Sequence, residues 1–428
     1  MKKLLSIGFA ISLYCASIES QAQVIPVSVE QSKDGHWHFM RQGEPYYVVG
    51  AGGQNHLDVL KEIGGNSIRT WSADNAGEVL DRAHENGMTV MMGLWVQHER
   101  HGFDYNNDEK IEEQLAKFTE IVKKYKDHPA LLLWAVGNEV DLNYSNTKVW
   151  SAINDIAKMI HEVDPNHPTS TVTAGLDSNE VVLIKQLAPE IDVYGINTYG
   201  EIENVATDVK KFGWEGPFMI TEWGPNGHWE VEKTSWNTPI EQSSAEKFES
   251  YFARYTQFIK PFEDCIGSYV FLWGQKQETT PTWYGLFTED GLPTATVDAL
   301  FKAWNGRWPE LRAPELMRVR IMAPQNDGEY FLVPDKTYEA EVDFNDFKAR
   351  EVAVRWEILP ESTDIKSGGD AEARPKSLDE SILKLQDSKL VLKAPTKEGA
   401  YRLFVYVTAN GKVAYANIPF YVSAQQGK

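Results

Sequence analysis

The chain has 428 residues, of which 42% are apolar and 24% charged, a balance that excludes global disorder and suits a large domain plus a smaller module. Its formal net charge of −20 argues against nucleic acid and anionic membrane surfaces as partners, and leaves a neutral polysaccharide or oligosaccharide open. Two cysteines leave little scope for a disulfide framework.

The first residues, MKKLLSIGFAISLYCASIESQAQ, join a basic start at Lys2 and Lys3 to an apolar run over 4–15. Small residues then precede a Ser-x-Ala cleavage signal at Ala22. This pattern predicts a secretory signal over 1–22 and an exported protein, periplasmic, extracellular or on the outer surface. A lipid anchor at Cys15 is the alternative, with bulky Tyr14 counting against it. No later apolar run reaches membrane-spanning length, so no membrane span is expected and a monomer is the simplest state. After processing only Cys265 remains, so no disulfide within the chain is expected.

Beyond the signal, residues 36–50 alternate and turn at Gln42-Gly43, which predicts a hairpin feeding a first core strand at 46–49. Strands and helices then take turns. Further strands are expected at 66–71, 89–95, 131–136, 170–172, 192–198, 217–221 and 267–273. Between them, 78–86 ends at Gly87, a C-cap signal, and 109–126 carries an apolar stripe of helical period. Later helices are expected through Val149 to Ile160, at 241–260 and at 295–304. Eight strands each followed by a helix or loop over about 260 residues is the (β/α)8 TIM barrel pattern. A doubly wound sheet would show a Gly-rich phosphate turn after its first strand. The Gly50-Ala51-Gly52-Gly53 turn fails that spacing.

Residues 306–316 are rich in Pro and charge and read as a linker. The helical period then disappears. Short strands are expected at 317–322, 329–333, 337–342, 351–358, 389–392 and 401–407, the last pairing with 413–422 across Asn410-Gly411. Residues 317–424 therefore read as a small C-terminal all-β, immunoglobulin-like sandwich, with 362–385 a polar loop within it. Its one Trp, Trp356, is mid-strand, so the module reads as a spacer packed on the barrel. The barrel with its hairpin takes 23–305.

Two stretches carry the chemistry. LLLWAVGNEV (131–140) is an apolar run ending in Asn138 and Glu139, and PFMITEWG (217–224) is another ending in Glu222. A charge directly after a buried strand is costly unless it has partners or opens onto a cleft. Glu139 alone fits a paired loop carboxylate as well as a catalytic acid. Two such carboxylates at the same rim of a barrel are what glycoside hydrolysis uses, one protonated and one ionised.

WAVGNEV and TEWG resemble the acid/base and nucleophile motifs of clan A glycoside hydrolases, whose two catalytic carboxylates follow the fourth and seventh barrel strands. The resemblance spans about 46–305. It implies Glu139 as acid/base, Glu222 as nucleophile and net retention, hence carboxylates about 5–5.5 Å apart. It also implies that Asn138 bonds a sugar hydroxyl, that Arg69 in NSIRTW holds the nucleophile ionised, that Tyr199 in INTYG sits beside it, and that Trp273 underlies the cleaved sugar. The barrel is similar to family 2 catalytic domains, but without their large N-terminal sandwich, and to β-1,3-glucanosyltransferases. Size and the single C-terminal module are most similar to family 158 endo-β-1,3-glucanases.

Aromatic residues near the strand ends, namely Trp71, Trp95, Trp223, Trp229, Trp236, Trp273, Trp283, Tyr144 and Tyr284, suit a cleft whose rings stack on sugar faces. Core packing is the competing reading for each. Gln54, His98 and Gln275 are candidate hydroxyl partners. His98 and His101 lack a third metal ligand, and the Asp104-Asn106-Asp108 run fails the calcium-loop pattern, so neither metal nor cofactor is expected. The expected activity is that of an exported retaining endo-β-1,3-glucanase. The alternatives are a transglycosylase using the same carboxylates, another clan A β-glycosidase such as a mannanase or β-galactosidase, and a non-catalytic glycan-binding protein.

Overall fold

A computed structural model describes residues 24–424. The expected signal segment, with Cys15, lies outside the described residues. Eight parallel strands close a barrel: β1 (Val48–Gly52), β2 (Ser67–Arg69), β3 (Thr89–Leu94), β4 (Leu131–Val136), β5 (Thr169–Ala174), β6 (Val193–Asn197), β7 (Phe218–Trp223) and β8 (Cys265–Val270). β7 pairs with β6 and β8, and β8 closes onto β1. The helices are α1 (Leu57–Glu62), α2 (Ala76–Glu85), α3 (Asp108–Tyr125), α4 (Lys148–Val163), α5 (Ser178–Leu187), α6 (Val205–Lys211), α7 (Ser244–Ala253) and α8 (Ala295–Asn305). The helix expected over 241–260 is shorter. It begins at the Ser243/Glu246 capping box and passes into a π-turn over Arg254–Ile259.

Alternation along each strand divides the core into two layers. In β3, Val90, Met92 and Leu94 face the helices, while Met91 faces the barrel axis with Leu133, Ala135, Val172 and Met219. The N-terminal hairpin does more than feed the first strand. It forms a three-stranded antiparallel sheet (Val27–Gln31, Trp37–Arg41, Glu44–Tyr46) whose Val27 and Phe39 join the axial cluster and close the barrel at the end away from the strand C-termini. Fully burying Phe39 there is worth about 2 kcal/mol.

The C-terminal module is a two-sheet sandwich. One sheet takes Glu315–Ile321, Thr337–Asn345, Lys389–Lys393 and Ile382–Gln386. The other takes Gln325–Asn326, Glu329–Leu332, Lys412–Val422, Gly399–Ala409 and Val352–Pro360. Leu332, Ile358, Leu403, Val405 and Phe420 fill the space between them. The stretch read as a linker is bound to the barrel: Trp308 stacks on Phe248 of α7 at 5.0 Å, and the Arg312 guanidinium lies 3.6 Å from the Trp308 ring. The polar loop expected over 362–385 is also more ordered than its composition suggests. Its end is the strand Ile382–Gln386, and its first half reaches back over the barrel mouth.

Candidate active site

The barrel mouth at the strand C-termini holds a cleft of about 910 Å³, in the size range of small-molecule sites. Trp71, Trp95, Asn138, Glu139, Tyr199, Glu222, Trp229 and Phe271 are among its lining residues.

Glu222 enters the cleft because β7 breaks its own alternation. Ile220 and Trp223 both face the helices, and the pairing of β7 slips between them on both sides. This irregularity turns Thr221 and Glu222 inward together. Three donors then converge on the Glu222 carboxylate. Arg69 Nη1 lies 3.0 Å and Trp71 Nε1 2.7 Å from Oε1, and the Tyr199 hydroxyl lies 3.0 Å from Oε2. Burial, with the Glu222 charge added, drives the Tyr199 hydroxyl well above its ordinary pKa, so it stays protonated and can donate. Arg69 is 1% exposed and also bonds the Thr221 carbonyl and the side chains of Asn197 and Asn138. A buried guanidinium needs this many acceptors.

Glu139 follows β4 across Gly137 and Asn138. Gly137 has φ +83°, and Glu139 itself sits in the left-handed region at φ +50°, an uncommon conformation for a non-glycine residue. Its backbone N–H donates to the Val172 carbonyl at 2.8 Å, which fixes the turn. The side chain receives one hydrogen bond, from Asn197 Nδ2 at 2.7 Å. Burial first, and then the nearby Glu222 charge, push its carboxyl up to about 8. Asp141 adds to the same effect, and burial lifts its own carboxyl to about 7. The Glu139 carboxyl is thus held protonated at neutral pH, while three hydrogen-bond donors face Glu222.

Asn138 accepts from Arg69 at 2.5 Å and from Asn197 at 3.2 Å, so its oxygen is committed and its amide group is the donor left for a ligand. Trp95 lines the cleft, backed by His98, whose ring stacks on it at 4.8 Å and 15°. His98 is therefore a support and not a hydroxyl partner. It is 1% exposed, its Nδ1 accepts from Arg100, and burial followed by the Arg100 charge lowers its pKa to about 4, which keeps it neutral.

Three expected sugar platforms are not at the surface of the cleft. Trp223 is fully buried against Tyr251 and Tyr255, on the helix side of β7, as the strand irregularity requires. Trp273 is 1% exposed, packed edge-on to Phe287, because β8 ends at Val270 and the chain has already turned outward. Phe271 takes the place expected of it: it lines the cleft edge-on to Trp71 at 5.8 Å and Tyr199 at 6.2 Å. Trp283 is 2% exposed and lies behind this group with Tyr284. Of the other aromatics, Trp229 stands at the rim, 56% exposed and edge-on to Tyr199, while Trp236 packs on Phe331 and Tyr421 of the sandwich and Tyr144 bonds Glu180. Gln275 bonds the Pro281 carbonyl, and Gln54 is exposed outside the cleft. Asn197, which ties Glu139, Asn138 and Arg69 together, and Phe271 are the residues that sequence reasoning passed over. Asn197 stands two positions before Tyr199 in the same INTYG motif. Among the described residues, no group of three or more His, Cys, Asp or Glu side chains is placed to hold a metal ion.

Residues 54–265 match the model of glycosyl hydrolases family 2, TIM barrel domain. A β-glucuronidase of Paenibacillus borealis is 23% identical over 361 residues, 71% of this chain and 57% of that protein. A β-glucuronidase of Chlorocebus aethiops is 22% identical over 201 residues, covering 42% of this chain and 29% of that protein. A β-galactosidase of Bacteroides ovatus is 26% identical over 201 residues, 40% of this chain and 23% of its own length. The chain thus spans only part of the length of these curated relatives. Among solved structures, the β-D-glucuronidase of Dictyoglomus thermophilum shares the fold with a TM-score of 0.51 at 17% identity, over 66% of this chain and 53% of that one.

Proposed function

We propose that this chain, whose residues 54–265 match the family 2 TIM barrel model, is a retaining β-glycosidase acting on neutral β-linked hexosides, with Glu222 as nucleophile and Glu139 as acid/base. The observation that carries the reading is the opposed environment of two carboxylates in one cleft. In the first step Glu222 attacks the anomeric carbon, the glycosidic C–O bond breaks, and Glu139 gives its proton to the departing oxygen. In the second, Glu139 takes a proton from water, the water oxygen bonds the anomeric carbon, and the Glu222 carboxylate leaves. Arg69, Trp71 and Tyr199 spread the charge of Glu222 and fix its attacking oxygen. Asn138 is placed to donate to a hydroxyl of the bound sugar.

The charge of the cleft favours a neutral sugar over a uronic acid. Besides the two glutamates, Glu201, Glu230, Glu278 and Asp370 line it. Its two lysines are already engaged. Lys276 Nζ pairs with Glu278 at 2.8 Å, and Lys366 Nζ pairs with Asp364 at 3.4 Å. A sugar carboxylate would meet excess negative charge with no unpaired cation. Within the neutral class, the family 2 match and the Bacteroides ovatus relative favour another clan A specificity, a β-galactoside first, over internal cutting of β-1,3-glucan. Export, a soluble monomer and the transglycosylase alternative remain part of the proposal to be tested.

The experiment is a panel of aryl β-glycosides (galactoside, glucoside, mannoside, glucuronide) and polysaccharides (laminarin, mixed-linkage glucan, mannan, galactan), with products resolved by size and anomer. A neutral β-hexoside cleaved with the β-anomer released first supports the reading, and chains longer than the substrate identify transfer. Preference for the glucuronide would contradict the electrostatic argument. Laminarin cut internally would restore the glucanase expectation.

A further inference from the structure

The cleft is not built by the barrel alone. One segment of its wall, between Ile365 and Asp370, belongs to the C-terminal sandwich. It rides on a body fixed firmly to the barrel. At that interface the buried Lys247 Nζ bonds Glu241 at 2.6 Å, the Thr282 carbonyl at 2.7 Å and the Tyr415 hydroxyl at 3.2 Å. Arg402 of the sandwich reaches the Pro239 carbonyl at 2.8 Å.

The segment itself is tied down at both ends of its span. On one side Arg100 donates to the Ser367 carbonyl at 3.0 Å and to Asp370 Oδ2 at 2.9 Å, and His101 Nε2 lies 3.0 Å from the same oxygen. Both residues follow β3. On the other side Lys276 Nζ donates to the Gly369 carbonyl at 2.8 Å, and Glu372 accepts from the Thr279 backbone at 2.7 Å. Both of those anchors follow β8. The segment therefore joins the loop after β3 to the loop after β8 across the mouth. Gly368 and Gly369 sit at φ +64° and +69°, and a Cβ at Gly368 would lie 2.7 Å from Arg100 and Leu142. The left-handed backbone favours glycine at both positions, and a side chain at Gly368 would displace the ends of Arg100 and Leu142.

What the segment offers the cleft has the chemistry of a sugar subsite. Ile365 is 50% exposed and adds an apolar side chain to the cleft wall. Asp370 shares Oδ2 with both anchors, which leaves Oδ1 as an acceptor. Burial opposes its ionisation, yet the His101 hydrogen bond and the Arg100 charge hold its pKa below the usual value, so it is a carboxylate at neutral pH. An apolar surface beside a charged acceptor is what the face and hydroxyls of a hexose bind.

We propose that this sandwich segment is a substrate-binding wall, the subsite for a sugar unit adjoining the one that is cleaved, so that the C-terminal module sets the preference for chain length. The proposal rests on the β-glycosidase reading. Its test compares kcat/KM for an aryl glycoside of the preferred hexose with kcat/KM for the β-linked tetrasaccharide of that hexose, in wild type, Ile365→Ala and Gly368→Val. Ile365→Ala truncates a half-exposed side chain and keeps the test open if Gly368→Val fails to fold. In both variants the tetrasaccharide-to-aryl ratio is expected to fall about 10-fold, through KM more than kcat. A ratio within about twofold of wild type in an active enzyme would overturn the wall alone. Wild-type protein that cleaves neither the aryl glycosides nor the tetrasaccharides would overturn the β-glycosidase reading, and this inference with it.

Discussion

Glu139 and Glu222 stand in one cleft, at the ends of two strands of one barrel, and are chemically the same residue. Their surroundings differ in kind. Around Glu222 a guanidinium, an indole N–H and a phenol all point donors at the carboxylate. Around Glu139 a single amide donates, and burial works unopposed by any nearby cation except Arg69, which engages Glu222 directly. One fold, by placing donors on one side of a cleft and withholding them on the other, gives two glutamates opposed surroundings: burial keeps the proton on Glu139, and three donors face Glu222. The asymmetry is local, so single substitutions can erase it from either side.

The largest effect is expected from Glu222→Ala. It should lower kcat by about 10⁴-fold or more, with added azide restoring turnover and giving the α-glycosyl azide on the open face. Glu139→Ala should cost about 10²–10⁴-fold with a poor leaving group and much less with dinitrophenolate, which needs no proton. A Brønsted plot of rate against leaving-group pKa reads this difference. Uniform losses across leaving groups would remove the acid role from Glu139.

The comparison also has a pH signature. Glu139 must carry its proton to act, so kcat/KM should fall as pH rises through about 8. Asn197 is the hydrogen bond that opposes the upward shift, so Asn197→Ala should move this alkaline limb to higher pH while lowering the rate about 10-fold. A limb that stays in place would detach Asn197 from Glu139. The smallest effect is on stability. A carboxyl whose pKa is raised on folding binds its proton more tightly in the native state, so its stabilising contribution is complete below about pH 4.3 and is lost as pH rises through about 8. Glu139→Gln should therefore raise Tm relative to wild type at pH 8 and change it little at pH 4. Equal shifts at the two pH values would rule out this linkage.

How far the sequence reveals this site follows from where each piece of information resides. β4 matches its sequence-predicted bounds, and the two glutamates are legible, because apolar runs ending in a charge are local signals. Trp223 misleads because alternation predicts its side only if the strand is regular, and the slip in β7 depends on pairing with β6 and β8. Trp273 misleads for a related reason: where β8 stops is decided by the barrel, and Phe271 inherits the cleft. Asn197 reads as an ordinary polar strand end until Arg69, Asn138 and Glu139, from two other strands, close around it. The segment at Ile365 lies furthest from prediction. Its polar, glycine-bearing composition describes a loop, and its order comes from Arg100, His101 and Lys276, far away in sequence.

The most direct measurement of the division of labour between the glutamates is to trap the first step. Wild-type protein is incubated with the 2-deoxy-2-fluoro β-glycoside of its preferred hexose, carrying a dinitrophenolate leaving group, and its peptides are weighed by mass spectrometry. The expected result is one fluoroglycosyl unit on the peptide bearing Glu222, absent from Glu222→Gln. An adduct on the Glu139 peptide, or turnover of the reagent with inversion and no adduct, would contradict it.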